Sequence, residues 1–105
     1  MVDIKTFKQL ARSFSGVDEQ PHFEKTSFRV KKKIFATHAA ESHIICVKLS
    51  EIDQSVFCAF DKTIIYPVDN KWGKQGWTLV DLNKIKKPML VDVLTTAYKE
   101  VSSKK

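Results

Sequence analysis

Residues 70–82 read NKWGKQGWTLVDL, and they hold both tryptophans of the chain, Trp72 and Trp77. Lys71 and Lys74 stand beside them, with Gly73 and Gly76 between. Indole faces stack on nucleobases and lysines pair with phosphates, so the segment has the makings of a nucleic-acid contact. It also has the makings of a loop whose tryptophans fold back into a small core. Strand phase separates the two residues: Trp77 alternates with Thr78 and shares a face with Leu79, which predicts a buried Trp77. Trp72, next to Lys71, is the aromatic expected at the surface, where it would either stack on a ligand or lie as a lid over the sheet edge.

Two further basic clusters accompany this segment. Arg29 precedes the run Lys31, Lys32 and Lys33, and an alternating hairpin would put Arg29, Lys31 and Lys33 on one face, towards a phosphate backbone. The plain alternative is a solvated hairpin tip whose lysines discourage edge-to-edge pairing. Lys84, Lys86 and Lys87 come just before the last helix. Lysines oppose the helix dipole there, which points towards an anion-facing role; the plain alternative is an ordinary solvated loop.

Catalytic patterns are missing. His22, His38 and His43 have no HxxxH or HExxH spacing; His38 and His43 flank a short loop and could meet across it, but a zinc site needs three or four ligands. The glycines are too sparse for a phosphate-cradling loop, and no serine sits in a nucleophile elbow. Cys46 and Cys58 lie in apolar segments at no redox or zinc spacing, as buried small hydrophobes do. The expectation is a protein that is not an enzyme, with no cofactor and no metal.

The whole chain fits this picture. It has 105 residues, the length of one domain, and 43% hydrophobic residues, enough for a packed core. Its formal net charge is +6, and all but two of its 18 basic residues are lysine. A basic balance favours polyanions. With only Arg12 and Arg29 as arginines, non-specific phosphate attraction is favoured over base reading. No apolar run approaches a membrane span, and the first residues lack the layout of a secretion signal, so a cytoplasmic protein is expected.

Periodicity supplies the elements. Ile4, Phe7, Leu10, Ala11 and Phe14 mark a first helix, with Asp3 as its cap. Strands are expected over about 22–30, around Ile34–Ala36 and over Ile45–Leu49. A helix follows, with Ile52, Val56, Phe57 and Phe60 on one face and a cap at Ser50 and Asp53. TIIYPV and GWTLVDL read as strands joined by a loop over 69–75. The last helix starts near Pro88 and carries Leu90, Val93, Leu94, Ala97, Tyr98 and Val101. The order αβββαββα implies an α+β layer fold with an antiparallel sheet packed against the first and last helices. Residues 102–105 form a polar tail expected to fray.

Taken together, SGVDEQPHFEKTSFRVKKKIFATH, YPVDNKWGKQGWTLVDL and LTTAYKEV resemble the MmcQ/YjbR family of small bacterial proteins, from Ile4 to Val101. The resemblance implies a compact α+β fold similar to that of the frataxin-like (CyaY) proteins. It also implies DNA binding through a double-wing arrangement. Carried onto this chain, the wings are the hairpin around Arg29 to Lys33 and the loop from residue 70 to Trp77. One departure stands out: Lys31-Lys32 occupies a turn that usually carries a turn-former, and a tight primed turn needs positive φ, which lysine resists. Either the hairpin is longer and looser, or charge at its tip is useful.

Three functional readings follow. The first is a non-enzymatic DNA-binding module with Arg29, Lys31, Lys32, Lys33, Lys71, Lys74, Lys84, Lys86 and Lys87 towards phosphates and Trp72 stacked or wedged. The second is a protein-interaction or regulatory module using the open sheet face. The third is a small-molecule or metal-binding protein, or an enzyme, with a pocket near Trp72, Tyr66 and His38.

Overall fold

The computed structural model describes residues 2–22, 25–39, 43–69 and 71–102, with the side chains of residues 21 and 22 left out. Helix α1 (Ile4–Arg12) is followed by strands β1 (Val17–His22), β2 (Lys25–Val30), β3 (Lys33–Ala39) and β4 (Ile44–Lys48). Then come α2 (Glu51–Phe60), β5 (Ile65–Pro67), a one-turn α3 (Lys71–Lys74), β6 (Trp77–Asp81) and α4 (Lys87–Ser102). The strands form one antiparallel sheet in the order β1-β2-β3-β4-β6-β5.

The fold class is the one read from the sequence, with two additions. The segment read as a single strand over 22–30 holds the end of β1 and all of β2, an antiparallel pair in which Val17 faces Val30 and Asp18 faces Arg29. Polar VDEQPH makes a poor hydrophobic signal because β1 is an edge strand, exposed from Asp18 to Gln20. The expected loop over 69–75 contains α3.

Helices α1 and α4 cover one face of the sheet. Phe7 and Ala11 from α1 and Leu90, Val93, Leu94 and Ala97 from α4 are fully buried against Phe28, Ala36, Ile45, Val47 and Val80. Each residue of this set removes its apolar surface from water at roughly 25 cal/mol per Å². Asp3 caps α1 by accepting from the Thr6 amide at 2.7 Å, and hydrogen bonding from Thr6, its side chain first and its amide second, holds the Asp3 carboxyl below the usual range. Ser50 caps α2 through the Asp53 amide at 3.1 Å.

Two packing expectations fail for the same reason, an inverted face. In β6 the residues buried on the helix-covered face are Thr78 and Val80, with Asp81 buried at the strand's end and Leu82 just after it, so Trp77 and Leu79 lie half-buried on the sheet's other face. In α2, Ile52, Val56 and Phe60 are 77%, 63% and 67% exposed; Phe57 and Cys58 are the residues turned inwards. Gln54, beside them, ties the helix to the sheet through Gly73 O, Trp77 O and Thr78 Oγ1. Periodicity identified both elements but not which side faces the core. The cysteines are half-buried rather than core residues. Burial pushes the Cys46 thiol up to about 11.

Candidate nucleic-acid interface

The antiparallel sheet has two ends, and α1 and α4 run the length between them. At one end lie the β2–β3 turn, the last residues of β4, the start of β6 and α3. Ser15 and Ser102, at the chain-final ends of α1 and α4, also reach this end, through bonds to Tyr98 and Lys31. At the other end lie the β6–α4 turn and the start of α4. With about 1.5 Å per residue, the 16 residues of α4 put the two ends roughly 24 Å apart.

The β2–β3 turn is tight. Lys31 and Lys32 are its only residues, with φ of 53° and 69°. Both central positions are therefore left-handed, as a two-residue primed turn requires. Non-glycine residues pay about 1–2 kcal/mol each for that conformation. The sequence alternative of a longer, looser hairpin does not hold. Part of the cost is offset by a bond from Lys31 Nζ to Ser102 O at 2.9 Å, which satisfies a terminal carbonyl of α4 and places a cation at its negative end.

The two glycines of the tryptophan segment are needed for close backbone approach. A Cβ on Gly76, whose φ is +103°, would lie 1.8 Å from Leu49 O, and one on Gly73 would lie 2.0 Å from Val68 O. The Leu49 amide donates to Gly76 O at 2.9 Å. This approach sets β6 against the end of β4 and makes Trp77 the cross-strand partner of Lys48. Arg29 is in the same way the partner of Ile34.

These residues line a groove of about 400 Å³: Arg29, Lys32, Lys33, Ile34, Lys48 and Trp77, closed off by Glu100 and Val101 of α4. Four cations and one carboxylate surround a half-buried indole. Arg29 Nε also donates to Ser27 Oγ at 3.1 Å, and Lys48 Nζ donates to Gln75 O, so both cations are oriented rather than loosely solvated.

The ten residues expected to form one basic surface do not do so. Arg29, Lys32 and Lys33 share the groove. Lys31 turns to α4 and borders a neighbouring depression with Asp18 and Gln20. Lys71 and Lys74 line a separate depression on α3 with Asp69 and Gln54. Trp72 is 49% exposed, with Lys71 Nζ 5.8 Å from its ring centroid. Lys84, Lys86 and Lys87 are exposed at the opposite end of the sheet, where Lys84 lies close enough to Asp61 to lower its carboxyl further, after the Thr63 bonds that dominate the shift.

Sequence reasoning missed Lys48 and assigned Trp77 to the core. Lys48 alternates visibly with Val47 and Leu49, but its pairing with Trp77 depends on the crossover through α2 that brings β6 beside β4. The envisaged pocket near Trp72, Tyr66 and His38 does not form. His38 is buried on the helix-covered side, 6.1 Å from the Phe7 ring, whereas Tyr66 pairs with Leu79 on the opposite face. Nor do His38 and His43 meet: His43 faces the Asp81 carboxylate at 3.7 Å. Among the described residues no group of three or more potential ligands could hold a metal, and no helix is long and apolar enough to cross a membrane.

Comparison with known proteins agrees with this architecture. The chain is similar in structure to the crystal structure of Deinococcus radiodurans protein DR2400, which contains a DUF419 domain, with a TM-score of 0.86 at 18% identity over 99% of this chain and 81% of that one. At that identity the likeness concerns the fold. No curated protein matches in sequence. The YjbR family model matches residues 12–100, a span that includes the primed turn, the tryptophan segment and all of the groove's lining but Val101, and on that match the chain belongs to the YjbR family.

Proposed function

We propose that this chain is a non-enzymatic nucleic-acid-binding module that takes phosphate backbone, DNA being the favoured polymer, at the hairpin end of its sheet. The observation that carries the reading is the groove in which Arg29, Lys32, Lys33 and Lys48 surround Trp77. Two lysines held at positive φ support it, because a turn built only for stability would carry Asn-Gly there. Lys71, Lys74 and Trp72 on α3, at the same end, extend the basic surface as a second wing. The scarcity of arginine makes the attraction electrostatic and tolerant of sequence.

Fluorescence anisotropy of labelled DNA across a salt series tests this. With about three phosphates engaged, log Kobs should fall against log salt with a slope of roughly −2 to −3. Lys32→Glu with Lys33→Glu should flatten the slope and abolish binding at moderate salt. A wild-type curve that coincides with that of an unrelated basic protein would refute the reading.

A second reading, a protein-interaction module, is favoured by a different surface from the one expected. The open sheet face carries half-buried residues such as Cys46, Leu79 and Tyr66, while among the described residues the exposed large apolar side chains are those of α2, together with Trp72.

A further inference from the structure

We infer that the groove accepts an unpaired nucleotide, its base stacked on the Trp77 indole and its phosphates held by Lys32, Lys33 and Arg29, so that the module prefers single-stranded nucleic acid to duplex. This deepens the reading above and rests on it.

Three observations lead to it. The indole is recessed: Trp77 sits within β6, half-buried, with Lys48 across from it and Arg29 and Ile34 on the neighbouring hairpin. Bases in a duplex are covered on both faces by their neighbours, so only a splayed base can reach a ring in this position. The groove volume of about 400 Å³ falls at the low end of small-ligand sites, roughly 300–1,000 Å³, and suits one nucleotide rather than a helix.

The third observation concerns what is lacking for duplex reading. Groove readers insert an α-helix or a β-ribbon carrying side chains that pair with base edges, most often bidentate arginine. Here the projecting element is a turn of two lysines, and the groove's single arginine is already bonded to Ser27.

The test uses Trp72→Phe protein, in which Trp77 is the only indole. Its emission and the anisotropy of labelled probes are followed with three ligands of equal length: oligothymidylate, a single strand of abasic sites, and a blunt duplex. Stacking predicts that oligothymidylate quenches Trp77 and binds about tenfold or more tightly than the abasic strand, with the duplex weaker than oligothymidylate. Trp77→Leu should erase the preference for bases and leave the salt-dependent component. If that variant fails to fold by circular dichroism, the abasic comparison, made with Trp77 in place, decides alone. Equal binding of abasic and ordinary strands without quenching would overturn the inference and leave the phosphate reading standing. Tighter binding of duplex would overturn it as well. Binding of none of the three would overturn both.

Discussion

Both ends of the sheet carry clusters of lysines and use them differently. At the hairpin end, cations converge on a concave site because the backbone forces them to. Lys31 and Lys32 are fixed in left-handed conformations, Gly76 brings β6 onto Leu49, and α4 ends against the turn. At the other end, Lys84, Lys86 and Lys87 stand exposed around an ordinary Asp-capped turn. There Asp81 accepts the Asn83 amide at 2.9 Å and lies beside His43. Charge alone does not make a site; charge gathered around an aromatic surface in a groove does. The lesson is that strained or closely approaching backbone, rather than lysine count, marks the end where recognition is expected.

The comparison can be broken most severely at Gly76. Gly76→Ala sets a Cβ into Leu49 O and should destabilise the fold by several kcal/mol, on the order of the larger overpacking and strain costs. Gly16→Ala, with open space around its Cβ and φ of +75°, should cost only about 1 kcal/mol. Urea denaturation measures both. Equal effects would mean that Gly76 does not fix the approach of β6.

A smaller effect is expected at the turn. Lys31→Asn with Lys32→Gly removes the left-handed strain and loses the bond to Ser102 O, for a net gain of roughly 1 kcal/mol in stability together with weaker nucleic-acid binding. A variant that is both less stable and unchanged in binding would show that the lysines serve the fold.

At neutral pH the smallest effect lies on the open face between the ends. Burial raises the Cys46 thiol to about 11, against 9.0 for the free group. The folded state therefore keeps its proton where the unfolded chain releases it. The stability that this gives is complete below pH 9 and falls as pH rises from 9 towards 11. Cys46→Ala should flatten the alkaline limb of the stability curve without altering binding at neutral pH. An unchanged alkaline limb would contradict this assignment.

Much of the fold was legible because its helices and central strands are strongly patterned. The leucine, valine and alanine spacing of α4 and the alternation of β4 leave little choice of element. What escaped was whatever depends on contacts distant in sequence. Edge strand β1 has no hydrophobic alternation to read, since it pairs along one side only. The outward stripe of α2 carries the same periodicity as a buried face, and nothing local tells which side packs. The site was half legible: Arg29, Lys32 and Lys33 were identified by charge density. Lys48 and Trp77 join them only because the chain crosses over through α2 and returns with β6 beside β4. Lys84, Lys86 and Lys87 were grouped with them by residue type, and α4 separates them.

The central claim is that binding belongs to the hairpin end. The most direct measurement compares Lys32→Glu/Lys33→Glu with Lys84→Glu/Lys86→Glu/Lys87→Glu in salt-titrated anisotropy on one single-stranded DNA probe. The account predicts that the double variant loses at least tenfold in affinity and most of its salt slope, while the triple variant, despite its larger change in net charge, loses only a few-fold at low salt and nothing near physiological salt, where charges ~24 Å apart are screened. Equal losses, or a greater loss from the triple variant, would contradict it and return the protein to the class of generally basic surfaces.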